Sequence, residues 1–309
     1  MKIFDLHCDT IYECETKKKS LRKNEFQVDI EKLKSGKSYA QCFAIFLNRE
    51  DCKKRGVTPF SRYRQMYACF QEELKREEAQ IRLVTEMDTL ASNYRQGKLS
   101  AILTVEGADV LEGKSERLNT LYQDGVRLMT LTWNYENELG FPHTAQKGLK
   151  KFGFEVVERM NETGMLIDVS HLSDAGFRDV LKTSKKPIVA SHSCARALCA
   201  NSRNLSDEML KALGNAGGVV GVNFFRLFLA EQNEESRIEQ VVAHVKHMVS
   251  CAGVESVAFG SDFDGIDERV EWKDFSGMQL VVEALGRYFS REELEKICYK
   301  NAERVFLEQ

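Results

Sequence analysis

Ile3-Phe4-Asp5-Leu6-His7-Cys8-Asp9-Thr10 opens the chain with a short apolar run that ends in an imidazole and a carboxylate two residues apart. Side chains of a strand alternate between faces, so His7 and Asp9 project together from the last rungs of an expected first strand. Such a pair can hold one edge of a divalent metal ion. The same arrangement, an apolar strand ending in a ligand-type residue, recurs at Glu106, His171, His192 and Asp262.

Working outward, eight apolar runs of strand length cover residues 3–6, 40–47, 101–105, 127–132, 165–169, 187–191, 219–223 and 257–260. Helix-type patterning separates them, over 59–96, 115–123, 147–163, 174–183, 207–215, 238–251, 275–288 and 291–306. Ser173 and Ser206 supply N-cap oxygens, and Ser290 with Glu293 reads as a capping box. Gly164 and Gly217-Gly218 stand where helices should stop and strands begin. Alternation of this kind implies a parallel sheet, and eight units imply an α/β fold of the (β/α)8 TIM-barrel type. The strands read as nearly continuous apolar runs, as expected when both faces are covered. No second domain is visible, so residues 1–309 are read as one barrel domain. Residues 11–38, polar and Lys-rich, break this pattern and read as a long first βα connection.

Composition narrows the function. The 309 residues are 43% hydrophobic and carry a net charge of −3, which gives no electrostatic reason to bind nucleic acid or an anionic membrane. No stretch reaches the ~18 apolar residues of a membrane span. Nine cysteines without paired spacing suit a reducing compartment, so a cytoplasmic protein is expected.

In a (β/α)8 barrel the active site lies at the C-terminal ends of the strands, where His7, Asp9, Glu106, His171, His192 and Asp262 all fall. Singly they say little: a strand-end histidine can be structural, and Asp262 and Asp264 could be turn residues. Jointly, three of only six histidines share strand ends with three acids. Histidine and carboxylate mixtures suit zinc and related ions, and this set exceeds the needs of one zinc. His143 lies in the loop after strand four, while His244 and His247, at i and i+3, are expected on the surface of a helix.

These segments resemble the membrane dipeptidase (renal dipeptidase) family of metal-dependent amidohydrolase-like barrels. The matching pieces run in order: Asp5-Leu6-His7-Cys8-Asp9-Thr10, Val105-Glu106-Gly107, Asp168-Val169-Ser170-His171, Ser191-His192-Ser193, Arg203-Asn204 and Gly260-Ser261-Asp262-Phe263-Asp264-Gly265. The resemblance implies a hydrolase with two Zn2+ per chain. His7 and Asp9 would bind one zinc, His171 and His192 the other, and Glu106 would bridge both. Asp262 would be the acid–base group, with Glu106 and Asp262 forming the catalytic pair. Arg203 would grip the terminal carboxylate of a small dipeptide, a task suited to a guanidinium fork. A D-residue at the C-terminal position of the substrate and a homodimer are further family expectations.

Two positions depart from the family pattern. Trp133 stands where the animal enzymes have a histidine after Leu-Thr, and Phe225 replaces a tyrosine after Val-Asn-Phe. Indole donates one hydrogen bond but shuttles no proton. Asn134 or His143, on the same loop, is expected to supply the missing polar contact, so Arg203, Trp133, Asn134, His143 and Phe225 are the candidate substrate contacts. These departures keep open a binuclear-metal hydrolase of another amide, lactam or lactone. A non-catalytic metal-binding barrel is the alternative of a different class.

Overall fold

All eight apolar runs become strands in the computed structural model, which describes residues 1–232, 234–267 and 269–308. In chain order the strands are β1 (Ile3–Asp5), β2 (Ser38–Phe46), β3 (Ile81–Leu83), β4 (Leu99–Glu106), β5 (Val126–Thr130), β6 (Leu166–Asp168), β7 (Val189–Ser193), β8 (Val219–Val222) and β9 (Val257–Phe259). The ring runs β2-β1-β9-β8-β7-β6-β5-β4 and closes where β4 pairs with β2, from Gln41↔Ala101 to Phe46↔Glu106. Every pairing is parallel. This is a closed (β/α)8 barrel.

β3 is a ninth strand outside the ring, in the stretch expected to be one long helix. That helix stops at Arg76, and a second short one covers Leu90–Arg95. The reason lies in β4: β5 pairs with it only from Leu103 onward, so the backbone of Leu99–Ala101 is free to take β3. Residues 11–38 also differ from expectation, because two short helices, Thr10–Lys17 and Ile30–Ser35, form there. Their apolar positions are few, but Ile11, Cys14, Ile30 and Leu33 are all buried, and the Asp29 side chain caps Lys32 N–H. The helix starts at Ser173, Ser206 and Ser290 are capped as expected.

Alternation sorts the barrel interior into a floor and a rim. Ile102, Leu128, Leu166, Val189, Val219 and Ala258 pack with Ala302, Val305 and Phe306 of the C-terminal helix, which plugs the end where the strands begin. Two residues on, with the same inward parity, stand Thr104, Thr130, Asp168 and Ser191, followed on β4 by Glu106. The apolar floor holds the barrel together, and the polar rim carries the site. Among the described residues, no helix is long and apolar enough to cross a membrane.

Candidate metal centre and active site

Glu106 is the last residue of β4, and its two oxygens face different neighbours. Oε1 lies 2.8 Å from His171 Nε2 and 3.4 Å from His192 Nε2; Oε2 lies 3.6 Å from His7 Nε2. His7 Nε2 in turn stands 3.3 Å from Asp9 Oδ2 and 3.8 Å from Asp262 Oδ1. The structure thus gathers all six strand-end residues into one cluster split by a central carboxylate.

Local backbone features aim these side chains. β1 ends at Asp5, earlier than the sequence suggested, but Cys8 still pairs with Cys42 and Ala44 by backbone hydrogen bonds, which keeps His7 and Asp9 on one side. A register irregularity between Ala190 and Ser193 lets His192 turn inward although Ser191 has the inner parity. His171 and Asp262 adopt left-handed backbone (φ 67° and 61°), an uncommon conformation for such residues.

A supporting layer sets the histidine tautomers. Ser191 Oγ donates to Asp168 Oδ2 (2.6 Å), so it accepts from His192 Nδ1 (2.7 Å). Asn134 Oδ1 accepts from His171 Nδ1 (2.7 Å). Both Nε2 lone pairs are therefore bare, and they face one another at 2.9 Å. Asp168 also accepts from Thr130 Oγ1 and from the N–H groups of Ser170 and Ser191. Asn223 donates to Asp262 Oδ2 at 2.8 Å, which leaves Oδ1 toward the cluster. Sequence reasoning gave no role to Asp168, Ser191 or Asn223; an acid at an inward position of an apolar strand was the readable signal for Asp168.

Electrostatically the cluster calls for cations. Burial raises Asp9 to about 6 and Asp262 to about 7. Burial also opposes a charge on His7, yet the Asp9 and Glu106 carboxylates hold its imidazole well above the usual range. For Glu106, burial is outweighed by His7 and by the His171 and His192 rings set against Oε1, so its carboxyl sits well below the usual range. Burial lowers His171 to about 4 and takes His192 well below its ordinary value. No Lys or Arg among the described residues forms an ion pair with Asp9, Glu106 or Asp262. Buried charges persist when paired or on metal. Asp9 Oδ1 and His7 Nε2 are buried without a hydrogen bond, and two bare imidazole nitrogens in contact repel unless a cation lies between or beside them. The nitrogen and oxygen donors, in two sets sharing Glu106, fit a pair of zinc-class ions.

The cluster opens into a cavity of about 610 Å³, within the range of small-molecule sites. Trp133, Asn134, His143, Arg203 and Phe225 all line it, joined by Tyr12, Phe46 and Phe228, which the sequence had not singled out. Trp133 packs edge-on against Phe46 (5.0 Å between centroids), and Phe225 against Phe228 (5.0 Å). Arg203 is buried, with its guanidinium 5.3 Å from the Phe228 centroid and one hydrogen bond, to His192 O. Its Nε has no partner, and it forms no ion pair among the described residues. Asn134 spends its oxygen on His171, so its first role is orienting that ring. His143 bonds Ser202 Oγ through Nδ1 (2.7 Å), and burial with nearby Arg203 pushes it down to about 4.

The two helical histidines part company. His244, expected on the surface, is buried: Nδ1 accepts from Ala195 N–H and Nε2 donates to Leu229 O, so the helix uses it to pin the Ala195 loop and the one-turn helix Arg226–Leu229. His247 is half-buried and pairs with Asp207.

Residues 1–309 match the family model for membrane dipeptidase (peptidase family M19). An uncharacterized protein in the pqqA 5′ region of Klebsiella pneumoniae is 34% identical over 224 residues, 68% of this chain and 83% of that protein. Dipeptidase 3 of Homo sapiens is 34% identical over 238 residues, 74% of this chain, and the match spans only 48% of that longer relative. A metallo peptidase from Rhodobacter sphaeroides, solved with a phosphinate mimic of the dipeptide L-Ala-D-Ala, shares the fold with a TM-score of 0.92 at 22% identity, covering 100% of this chain and 99% of that one. With the family match running the whole length of a closed barrel, the chain belongs to the membrane dipeptidase family, peptidase family M19.

Proposed function

We propose that this chain is a two-zinc dipeptidase that hydrolyses small dipeptides and accepts a D-residue at the C-terminal position. One observation carries the reading: Glu106 divides a buried set of bare donors into two halves beside a buried arginine that has no anionic partner among the described residues. His7 and Asp9 would hold one zinc, His171 and His192 the other, and Glu106 both. When bound, the ions supply Lewis-acid polarisation of the peptide carbonyl and a water acidic enough to ionise near neutrality.

The chain's own residues do the rest. Arg203 receives the terminal carboxylate with its free Nε edge and so fixes which peptide bond faces the cluster. Asp262, steadied at Oδ2 by Asn223, takes a proton from the attacking water at Oδ1 and returns it to the leaving nitrogen. Asn134 keeps His171 in the donor tautomer. Phe46, Trp133, Phe225 and Phe228 enclose the side chains of the substrate and exclude water. His143, neutral at working pH, offers Nε2 as the remaining polar contact. Support for the D-residue comes from the L-Ala-D-Ala mimic on the Rhodobacter relative. All nine cysteines are free, in keeping with a cytoplasmic enzyme.

A second reading, hydrolysis of N-acyl amino acids, is favoured by the aromatic wall at Trp133 and Phe225, which suits an acyl group without an amine. Metal analysis with a panel of L,L and L,D dipeptides and N-acyl amino acids decides between them. About two zinc per chain with dipeptide turnover is expected, and Glu106→Ala should lose both. Metal with turnover of N-acyl substrates alone selects the second reading; no metal and no turnover after adding zinc rejects both.

A further inference from the structure

Outside the barrel, a carboxylate, an imidazole and a thiol meet on the seam between two helices. Asp207 begins the helix Asp207–Asn215; His247 and Cys251 lie one turn apart on the helix Ile238–Ala252 that packs against it. His247 Nε2 stands 2.8 Å from Asp207 Oδ1 and 3.5 Å from Cys251 Sγ.

Both contacts reach the same ring nitrogen. A nucleophile–base–acid relay would engage opposite nitrogens of the imidazole, one toward the thiol and one toward the carboxylate. Three donors around one centre is instead the arrangement of metal ligands. With bonds of about 2.0–2.1 Å to N and O and about 2.3 Å to S, a tetrahedral zinc site sets N···S near 3.5 Å and N···O near 3.3 Å. The thiol already stands at that spacing. The carboxylate need only withdraw slightly, and the Asp207 side chain is 47% exposed and able to do so.

We propose that Asp207, His247 and Cys251 form a peripheral site for a zinc-class divalent ion, separate from the barrel cluster, that clamps the two helices and leaves its fourth position to water. A thiolate and an imidazole select zinc or cobalt over magnesium or calcium, and binding releases the thiol proton to solvent. One turn from His247, His244 already ties the same helix to Ala195, on the segment that leads to Arg203, and to Leu229, next to Phe228. The arginine pocket therefore keeps its anchor whether or not the peripheral ion is bound.

The test is cobalt titration, under reducing conditions, of protein carrying two zinc equivalents per chain for the barrel cluster, read by thiolate-to-cobalt absorption in the near ultraviolet. Among the described residues the barrel cluster has no sulfur donor, so a band that Cys251→Ser abolishes reports the peripheral site. The expected result is a saturable band and one extra metal equivalent per chain, both lost in Cys251→Ser and in His247→Ala while activity with the barrel metals in place is unchanged. Retained activity shows that the variants fold. No band in the intact protein at sub-millimolar cobalt, or a band that persists in either variant, overturns the proposal.

Discussion

Replacing Arg203 with methionine separates substrate binding from folding. The side chain is only 5% exposed, which at most positions would make it a pillar of the fold. Here its contacts are few: one 3.2 Å hydrogen bond to His192 O and a ring contact with Phe228, against a buried Nε with no acceptor. Losing a long charged-donor bond costs about 1.5 kcal/mol and the ring contact about 1 kcal/mol, while relieving the orphaned donor returns about 1–3 kcal/mol. Methionine keeps the apolar stem. Net stability should therefore change by no more than about 1–2 kcal/mol, a Tm shift within about 5 °C. A dipeptide carboxylate, by contrast, would lose two charge-assisted bonds, at least about 3 kcal/mol together, or about 10²-fold in kcat/KM. The assay compares a dipeptide with its C-terminal amide in both proteins. Arg203→Met should penalise the acid by that factor and the amide little. Equal losses on both substrates, or a collapse in Tm, would refute the assignment and make Arg203 a structural residue.

Three other perturbations address the cluster. Asp262→Asn should keep both metals and lose about 10²–10⁴-fold in kcat, measured with metal content on the same sample; near-normal turnover removes Asp262 from proton transfer. Gly265→Ala would place a Cβ 2.1 Å from Asp9 Oδ2 and 2.8 Å from Asp262 Oδ1, so Asp9 must move; zinc affinity should fall about 10-fold or more by chelator competition, with the fold retained. Wild-type affinity in that variant would mean that the Asp9 carboxylate is not held where metal binds. His143 has a native pKa near 4 against about 6.5 unfolded, so the native state binds fewer protons in that window and the residue subtracts stability as pH falls from 6.5 toward 4. His143→Asn should therefore lose less Tm than the wild type between pH 7 and pH 5, and an equal loss contradicts a neutral buried imidazole.

The barrel was legible because its strands are buried on both faces and so stand out as apolar runs against charged helices. What escaped was decided by pairing between distant segments. Ile81–Leu83 is a strand only because β5 leaves the start of β4 uncovered, and nothing local to residues 81–83 says so. The helices within 11–38 were hidden by their polar residues, since two buried apolar residues in each suffice once a neighbouring surface exists. His244 was misjudged for a related reason: helical spacing gave it a face, but its burial depends on the segments at Ala195 and Leu229 folding over it. The residues of the cluster were legible because each ends an apolar run. Their supports were not, because Ser191, Asn134 and Asn223 act through hydrogen bonds across the barrel that no sequence spacing encodes.

The same barrel also buries acids of two kinds, and hydrogen-bond accounting tells them apart. Asp168 accepts from Thr130, Ser170 and twice from Ser191; Asp5 accepts from Gln41 and twice from Ser261. Each spends its oxygens on neighbouring strands, which is how a carboxylate becomes part of a scaffold. Asp9 Oδ1 has no partner, Asp262 has one hydrogen bond, and Glu106 meets only imidazoles. Asp9 and Asp262, whose carboxyls burial pushes up, raise the free energy of the folded chain where they ionise, and this chain sets them within reach of Glu106. Such a concentration of uncompensated charge is tolerable when divalent cations complete it. Asp5 and Asp168 therefore stiffen the rim so that Asp9, Glu106 and Asp262 can be left unsatisfied, and the division between satisfied and unsatisfied acids marks where scaffold ends and reactive site begins.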